Sequence, residues 1–318
     1  MAIANQAIPR AIQLIAMAML LTGCAGAPLQ YTDLPADTLT GPPAVELTDV
    51  PFHAQKAYQC GPAALATVMN HAGEDIHPDT LTPRVYLPER MGSLQAELLA
   101  ATRRQGLVPY VHRPELTDLL EELRNGTPVL VMQNLGIDSI PIWHYAVVVG
   151  YDLQQQEVIL RSGTVKRKVV SLRRFERTWQ RGDYWALTVH RPGDLPASAE
   201  ERRYLEAVAP LEKTASPDAA ERGYLAALMR WPDSLEAMVG LGNTRYLAGD
   251  YENARIRYRD AVARHPGSAA AHHNLAWAMI RLGRLDDALP HAQLAAELAG
   301  EDRPHYHAAL EELNQRSR

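Results

Sequence analysis

The C-terminal part of the chain repeats itself at an interval of thirty-four residues, and this period constrains its fold more than any other feature. Several small and apolar residues recur in register: Pro232 as Pro266, Leu241 as Leu275, Gly249 as Gly283 and Ala254 as Ala288. A repeated unit of this length forms one helix–turn–helix, which cannot bury its apolar face alone. The period therefore predicts a stack of helix pairs.

The repeated residues resemble those of tetratricopeptide repeats. The most complete copy has Leu241-Gly242, Gly249-Asp250-Tyr251, Ala254, Tyr258, Ala261 and Pro266 in the positions that this family uses. A degenerate copy is expected over residues 200–232, and a helix from Arg303 to Gln315 is expected to cap the stack. We predict an all-α repeat solenoid over residues 200–318. It either binds a peptide or protein partner or only supports the preceding domain.

A cysteine stands at the start of a predicted helix in the first half of the chain. Cys60 is followed by Gly61-Pro62 and by helix formers up to about Asn70. Proline is tolerated in the first turn because the N–H that it lacks has no intrahelical partner there. A helix N-terminus favours thiolate over thiol, and thiolate is the nucleophile. Cys60 is thus a candidate nucleophile, the alternative being a buried, inert cysteine.

His144 is the candidate base for this nucleophile. It precedes the run Ala146-Val147-Val148-Val149, which predicts a β-strand. A cysteine followed much later by a histidine on a strand is the order of papain-like nucleophile–base pairs. The alternative is a structural or exposed histidine.

Residues 48–190 are expected to form one α+β domain. The patterns predict helices over 60–70, 94–102 and 114–124 with a proline-rich connection between the first two, and strands over 129–132, 144–150, 158–160, 169–172 and 184–189. This order predicts that the helix of Cys60 packs on an antiparallel sheet that carries His144. Residues 191–199 are expected to be a linker.

Both motifs together resemble the bacteriocin-processing (double-glycine leader) cysteine peptidases and their papain-like relatives over residues 48 to 190. The matching segments are Gln55-x4-Cys60-Gly61-Pro62-Ala63-Ala64-Leu65 and His144-Tyr145-Ala146-Val147-Val148-Val149-Gly150. The resemblance implies peptide-bond hydrolysis, with Cys60 as nucleophile and His144 as general base and then acid. It also implies that Gln55 is the side-chain donor of an oxyanion hole, although it lies one residue nearer to Cys60 than in that family.

Ser162 departs from the pattern of this family. The family places Asp or Asn at the end of the strand after the histidine, where this chain has Arg161-Ser162-Gly163. A hydroxyl can accept a hydrogen bond from His144, but it does not stabilise imidazolium as an anion does. A Cys–His dyad helped by Ser162, a slow enzyme and a non-catalytic binding scaffold all stay open. A further alternative is a cysteine amidase or acyltransferase acting on cell-wall peptides or other acyl groups, since the same dyad serves any acyl transfer.

The N-terminus has the layout of a secretory signal peptide. Arg10 is followed by the apolar run Ala11 to Leu21 and by Leu21-Thr22-Gly23-Cys24, which resembles the bacterial lipobox. This resemblance implies cleavage after residues 1–23, a lipid on Cys24 and, with Ala25 next, an outer-membrane anchor facing the periplasm. The alternative is an ordinary signal peptide. Residues 24–47 are expected to be a tether.

The net charge, the histidine spacing and the two cysteines limit the classes of partner and cofactor that are expected. The net charge of −5 with mixed signs does not indicate a nucleic-acid partner. Histidines occur outside any recognisable ligand spacing, so no metal and no other cofactor is expected. A lipid on Cys24 would leave Cys60 unpaired in an oxidising compartment, which favours a functional thiol. The basic residues 161–168 and 173–174 predict a solvated edge hairpin or a surface for acidic substrates or lipid head groups.

Overall fold

A computed structural model describes residues 29–56, 58–213, 217–300 and 303–316. The predicted signal peptide and the predicted lipidation site, Cys24, lie outside the described residues. Among the described residues, no helix combines the length and the apolar character needed to span a bilayer.

An antiparallel sheet of seven strands forms the centre of the first domain. The strands are β1 (Ala44–Glu46), β2 (Val108–Val111), β3 (Val129–Asn134), β4 (Trp143–Asp152), β5 (Glu157–Ser162), β6 (Val165–Ser171) and β7 (Ala186–His190). Their order is β2-β7-β3-β4-β5-β6, and β1 pairs with the last residues of β4. The sheet therefore places β4, which carries His144, between β3 and β5.

Helices cover both faces of this sheet. They are α1 (Ala36–Leu39), α2 (Cys60–His71), α3 (Pro78–Val85), α4 (Gln95–Arg104), α5 (Leu116–Arg124) and α6 (Leu172–Gln180). Alternate residues of a strand point to opposite faces. Val147 and Val149 accordingly belong to the core that α2 and α4 complete, whereas Ala146 and Val148 belong to the core of α5 and α6. The predicted α+β class is confirmed, with α2 packed on the sheet.

Three elements within residues 48–190 were not expected from the sequence. Helix α3 occupies the segment predicted as a proline-rich connection; Pro78 occupies its first turn, where the missing N–H is not needed. Strand β2 pairs with β7 at one edge of the sheet. Helix α6 follows β6 directly and buries Phe175 and Trp179. The sheet is accordingly larger and better covered than predicted.

The described part of the predicted tether, residues 29–47, lies along the first domain. Leu29 is buried. The backbone N–H groups of Gln30 and Tyr31 donate to the Glu176 carboxylate at 2.5 and 3.0 Å. The Arg124 guanidinium donates to the Thr38 carbonyl at 2.5 Å. Polar groups of the domain thus satisfy the backbone of this segment, and its composition did not reveal them.

The segment predicted as a linker is also packed. Ser198 is buried, and its N–H and Oγ both donate to Glu122 Oε1 at 2.9 Å. Val108 and Tyr110 of β2 share a core with the first helix of the C-terminal region. The helical C-terminal region therefore packs directly against strand β2 at the edge of the sheet.

The C-terminal region is helical, as the thirty-four-residue period predicts. Its helices are α7 (Glu201–Val208), α8 (Pro217–Arg230), α9 (Leu235–Leu247), α10 (Tyr251–Arg264), α11 (Ala269–Arg281), α12 (Leu285–Ala299) and α13 (Ala308–Arg316), with 3₁₀ segments at Ala209–Lys213 and Pro304–His307. Gly249 and Gly283 adopt positive φ at the turns between paired helices, a conformation that favours glycine. Gly242 lets the Tyr258 ring lie directly on α9, since a Cβ there would collide with that ring.

Candidate active site

Cys60 is the first residue of α2, and its thiol is largely withdrawn from water. Backbone N–H groups of Tyr145, Gly61 and Cys60 itself face the sulfur. Burial nevertheless raises the pKa of the Cys60 thiol, because the cost of desolvating a thiolate exceeds the stabilisation from these N–H groups. The sequence predicted the opposite direction from the helix N-terminus alone. In the resting site the thiol is therefore protonated at neutral pH.

His144 is the second residue of β4 and is held by Ser162. Its Nε2 lies 2.9 Å from Ser162 Oγ, at the end of the neighbouring strand β5. Burial and, to a lesser extent, the charge of Lys168 lower the pKa of His144 to about 4. The imidazole is consequently neutral at pH 7. Its other nitrogen, Nδ1, makes no hydrogen bond with the described residues, so it is free to accept a proton.

Cys60 and His144 line the same cavity of about 670 Å³. Within the described chain no hydrogen bond joins the thiol to the imidazole. Both groups are therefore in their neutral forms in one cleft. The sequence predicted that these side chains would share a site, and the fold brings them together through the packing of α2 on β4.

Gln55 also lines this cavity. Its Nε2 donates to the Tyr145 carbonyl at 3.2 Å, and its backbone N–H donates to the Gly163 carbonyl at 3.0 Å. A side-chain amide nitrogen carries two hydrogens, so one N–H stays available for a second acceptor. The predicted oxyanion donor thus lines the same cavity as Cys60 and is anchored to the turn that follows Ser162.

Large apolar side chains form the outer wall of the cavity. Met91, Leu94, Ile142 and Trp143 line it and are each more than two-fifths exposed. Exposed apolar surface of this kind marks a place where another molecule binds. The sequence analysis did not identify these four residues as site residues, because single apolar residues before a helix or at the start of a strand show no pattern of their own.

Arg161 has a role that differs from the one predicted for the basic segment. It is only 4% exposed, and its guanidinium donates to the carbonyls of Leu47, Thr48, Val50 and Lys166. Arg167, by contrast, forms a surface ion pair with Glu46 at 2.8 Å. Arg161 therefore holds the chain that leads to the cleft and does not offer its charge to a ligand. The sequence signal for this buried position is that Arg161 directly follows the apolar run 158–160 of a predicted strand.

Tyr145 and Ser93 were not predicted as site residues. The Tyr145 hydroxyl donates to the Ser93 carbonyl at 3.3 Å, which ties β4 to the segment before α4. Ser93 Oγ is buried without a hydrogen-bond partner in the wall of the cavity. Within the described residues no group of three or more His, Cys, Asp or Glu side chains is arranged to hold a metal ion.

Two family models match segments of the chain. Residues 47–186 match the family described as Peptidase_C39 like family, and residues 245–313 match the tetratricopeptide repeat. The search of curated proteins gave no match.

Several solved structures are similar to parts of the chain. A C39-like peptidase from Bacillus anthracis is 19% identical, covers 46% of this chain and 96% of its own, and has a TM-score of 0.40. The peptidase domain of Streptococcus ComA is 21% identical over 44% of this chain and 96% of its own, with a TM-score of 0.35. The type III secretion translocator chaperone SycD of Yersinia enterocolitica is 16% identical over 36% of this chain and 84% of its own, with a TM-score of 0.34.

The family matches and the architecture agree: residues 47–186, which form the antiparallel-sheet α+β domain, match a C39-like peptidase family model, and the helical region that follows contains a match to tetratricopeptide repeats.

Proposed function

We propose that the first domain is a cysteine peptidase that cleaves peptide bonds through a thioacyl intermediate on Cys60. One observation carries this proposal: His144, fixed through Nε2 by Ser162, lines the cavity at which α2 presents the thiol. A nucleophile and a base that is oriented by a third group are what acyl transfer requires.

The path of the proton follows from which imidazole nitrogen of His144 is hydrogen-bonded to Ser162. With Nε2–H donating to Ser162 Oγ, the lone pair of His144 is on Nδ1. As the sulfur of Cys60 attacks the carbonyl carbon, its proton passes to Nδ1, and the imidazolium then protonates the departing amine. Water then attacks the thioester. His144 takes a proton from this water and returns it to the sulfur of Cys60 as the acid product leaves.

The oxyanion that forms on the carbonyl needs donors in the same cleft. The backbone N–H of Cys60 and the free N–H of Gln55 are the candidates. Such donors stabilise charge that exists only in the transition state.

A second candidate function is peptide binding without hydrolysis. Two observations favour it: Ser162 offers a hydroxyl where an anion would stabilise imidazolium, and burial keeps both Cys60 and His144 neutral. The apolar cleft would then capture a peptide segment, and the repeats would recruit a partner.

We also propose that the protein is a lipoprotein anchored through Cys24 in the outer membrane and facing the periplasm. Leu29, five residues after Cys24, is buried in the domain. Five residues span at most about 18 Å. Such an anchor would hold the first domain close to the bilayer surface.

The test is incubation of the chain from Ala25 onward with a defined peptide mixture, followed by mass spectrometry of new termini. Cleavage by the unaltered chain that is lost in Cys60→Ala and His144→Ala, but kept in His71→Ala, is the expected result. His71 is an exposed histidine outside the cavity and serves as the matched control. Cleavage that persists in Cys60→Ala refutes the assignment. Peptides that are retained but not cut by the unaltered chain support the second candidate.

A further inference from the structure

We propose that one surface of the first domain, the docking face, binds an anionic lipid bilayer. The docking face consists of the basic residues Lys168, Arg173, Arg174, Arg177 and Arg181 on β6 and α6, together with the loop of residues 135–143 between β3 and β4. This contact takes its biological setting from the proposed anchoring through Cys24, but it requires neither a lipid on Cys24 nor catalysis by Cys60.

Helix α6 presents basic side chains along the side that faces away from the domain. Its other side, with Phe175 and Trp179, is buried. Arginines recur at intervals of three and four residues, which places them on one side of a helix. They are Arg173, Arg174, Arg177 and, just after the helix, Arg181. Within the described chain none of these arginines forms an ion pair.

Strand β6 adds Lys168 to the same side of the domain. Alternate residues of a strand share a face, and Val170, two residues later, belongs to the core that α6 covers. Lys168 therefore lies beside α6. Its charge also acts on His144, so the basic surface extends towards the start of β4. Arg167 is not part of this surface, because it is already paired with Glu46.

The loop between β3 and β4 exposes apolar side chains next to the arginines. These are Leu135, Ile137, Ile140, Ile142 and Trp143, which are between 43% and 69% exposed. The Arg181 guanidinium donates to the carbonyl of Asn134, the residue before the loop, at 3.0 Å. The basic row and the apolar loop therefore meet and form one surface.

Exposed carboxylates near this surface are fewer than its basic side chains. They are Asp33 in the segment that packs on α6, Asp138 in the loop and Asp183 after Arg181. Glu176, within α6, is buried. The docking face therefore has an excess of positive charge, although the whole chain has a net charge of −5.

An anionic bilayer matches both parts of the docking face. Basic side chains are attracted to anionic head groups, and each one close to the surface contributes about fivefold to the partition coefficient. Isoleucine and tryptophan side chains bind at the boundary between head groups and acyl chains. An acidic peptide or a nucleic acid would pair with the arginines but would leave the isoleucines of the loop in water. We therefore infer a bilayer as the partner.

The described chain begins beside the docking face. The backbone N–H of Gln30 donates to Glu176 at 2.5 Å, and Arg177 is the next residue of α6. A lipid on Cys24 would lie five residues before Leu29, and five residues span at most about 18 Å. The anchor would thus hold this face towards the bilayer. Stable attachment to a membrane takes two signals, which the lipid and the docking face would supply together.

The experiment is co-sedimentation of the chain from Ala25 onward, which carries no lipid, with phosphatidylcholine vesicles that contain or lack about 30% phosphatidylglycerol. We expect binding to the anionic vesicles, weakened by salt because salt screens exposed charges. A variant with Arg173→Gln, Arg174→Gln and Arg177→Gln should bind at least about tenfold more weakly. A control with Arg222→Gln, Arg230→Gln and Arg257→Gln loses the same charge at exposed positions of the repeats and should change binding less than about twofold.

The loop is tested separately from the charge. Ile137→Ser with Ile140→Ser removes two exposed side chains that do not line the Cys60 cavity, and it should weaken binding about five- to tenfold. Asp138→Asn removes a carboxylate that anionic lipid repels, and it should strengthen binding about two- to fivefold. Circular dichroism checks that each variant is folded.

Three results would overturn the proposal. They are no sedimentation with anionic vesicles at about millimolar lipid, equal loss of binding in the two arginine variants, and retention of a polyglutamate peptide by a chain that does not bind vesicles. Failure of the proposed anchor would be seen differently, as a full-length chain whose Cys24 carries no lipid by mass spectrometry. The vesicle assay does not depend on that result.

Discussion

Replacing Ser162 by aspartate should raise the pKa of His144 and create the anion that the cleft lacks. His144 Nε2 lies 2.9 Å from Ser162 Oγ, so a carboxylate at position 162 would sit within about 4 Å of the imidazolium charge. At an effective dielectric constant of about 20 this pair is worth about 4 kcal/mol, or roughly three pH units. The carboxylate must itself be desolvated, because Ser162 is only 3% exposed. We therefore expect a net rise of about two units, from about 4 to about 6.

The rise is measured by NMR titration of the His144 imidazole and by the pH dependence of Cys60 alkylation with iodoacetamide. A higher imidazole pKa favours the thiolate–imidazolium pair, so alkylation of Ser162→Asp near pH 6.5 should be faster than that of the unaltered chain. Two controls separate charge from volume. Ser162→Asn adds similar bulk without charge, and Thr164→Asp adds the charge at an exposed position. Neither should move the His144 pKa by more than about half a unit.

A His144 pKa that stays near 4 in a folded Ser162→Asp variant would refute the reasoning. It would mean that Ser162 does not contact the imidazole in solution. A shift of the same size in Ser162→Asn would instead show that volume, and not charge, controls this imidazole.

Further predictions concern stability, measured by urea unfolding. Gly242→Ala should destabilise the chain by about 1–3 kcal/mol through overpacking, whereas Gly267→Ala, whose Cβ would meet nothing within 4 Å, should not; equal effects would argue against the packing. His112 and His190 are buried with pKa values lowered to about 3 and about 4. The unfolded chain thus binds their protons first, so stability should fall below about pH 6.5, by up to about 1.4 kcal/mol per pH unit for each histidine; a flat profile would contradict this. Ser93→Ala removes a buried hydroxyl without a partner and should be neutral or stabilising, not costly.

The repeats could be predicted because their signals are local and recur. Each helix pair is specified by residues within one unit, and glycines at fixed positions mark the turns. The start of α2 was predictable for the same reason, since Gly61-Pro62 after Cys60 describes a first helical turn by itself. Elements whose stability comes from neighbours in sequence are the ones that sequence patterns reveal.

Helix α6 could not be predicted because its buried face includes a charged residue. Phe175, Glu176 and Trp179 are all buried. Glu176 is tolerated there because the N–H groups of Gln30 and Tyr31 donate to it from a segment about 145 residues earlier in the chain. The same contacts explain why the composition of residues 29–47 predicted a tether. The N-terminal segment supplies hydrogen-bond donors for the buried carboxylate of Glu176, and that carboxylate satisfies the backbone of the segment. Neither segment shows a helix or strand pattern in the sequence by itself.

Sequence motifs named the candidate site residues but not their electrostatics. The motifs named Cys60, His144, Gln55 and Ser162; in the fold the first three line one cleft, and Ser162 contacts His144. The direction of the Cys60 pKa depends on how deeply the thiol is desolvated, which is a property of the whole cleft wall. A helix N-terminus can be recognised in the sequence and lowers the thiol pKa, but the opposing effect of desolvation cannot be read from the sequence.

The two neighbours of Ser162 in the chain both hold segments that lead to the cleft. The side chains of the site are therefore already positioned, and what the site lacks is a negative charge next to His144. On one side of it, Arg161 holds the carbonyls of the chain that leads to the nucleophile. On the other side, the Gly163 carbonyl accepts the backbone N–H of Gln55. The turn after β5 therefore positions the candidate base, the candidate oxyanion donor and the entry to α2 together. Adding a carboxylate at position 162 changes the electrostatics of a site that is already organised, so its effect on peptide cleavage tests whether the missing charge limits the proposed activity.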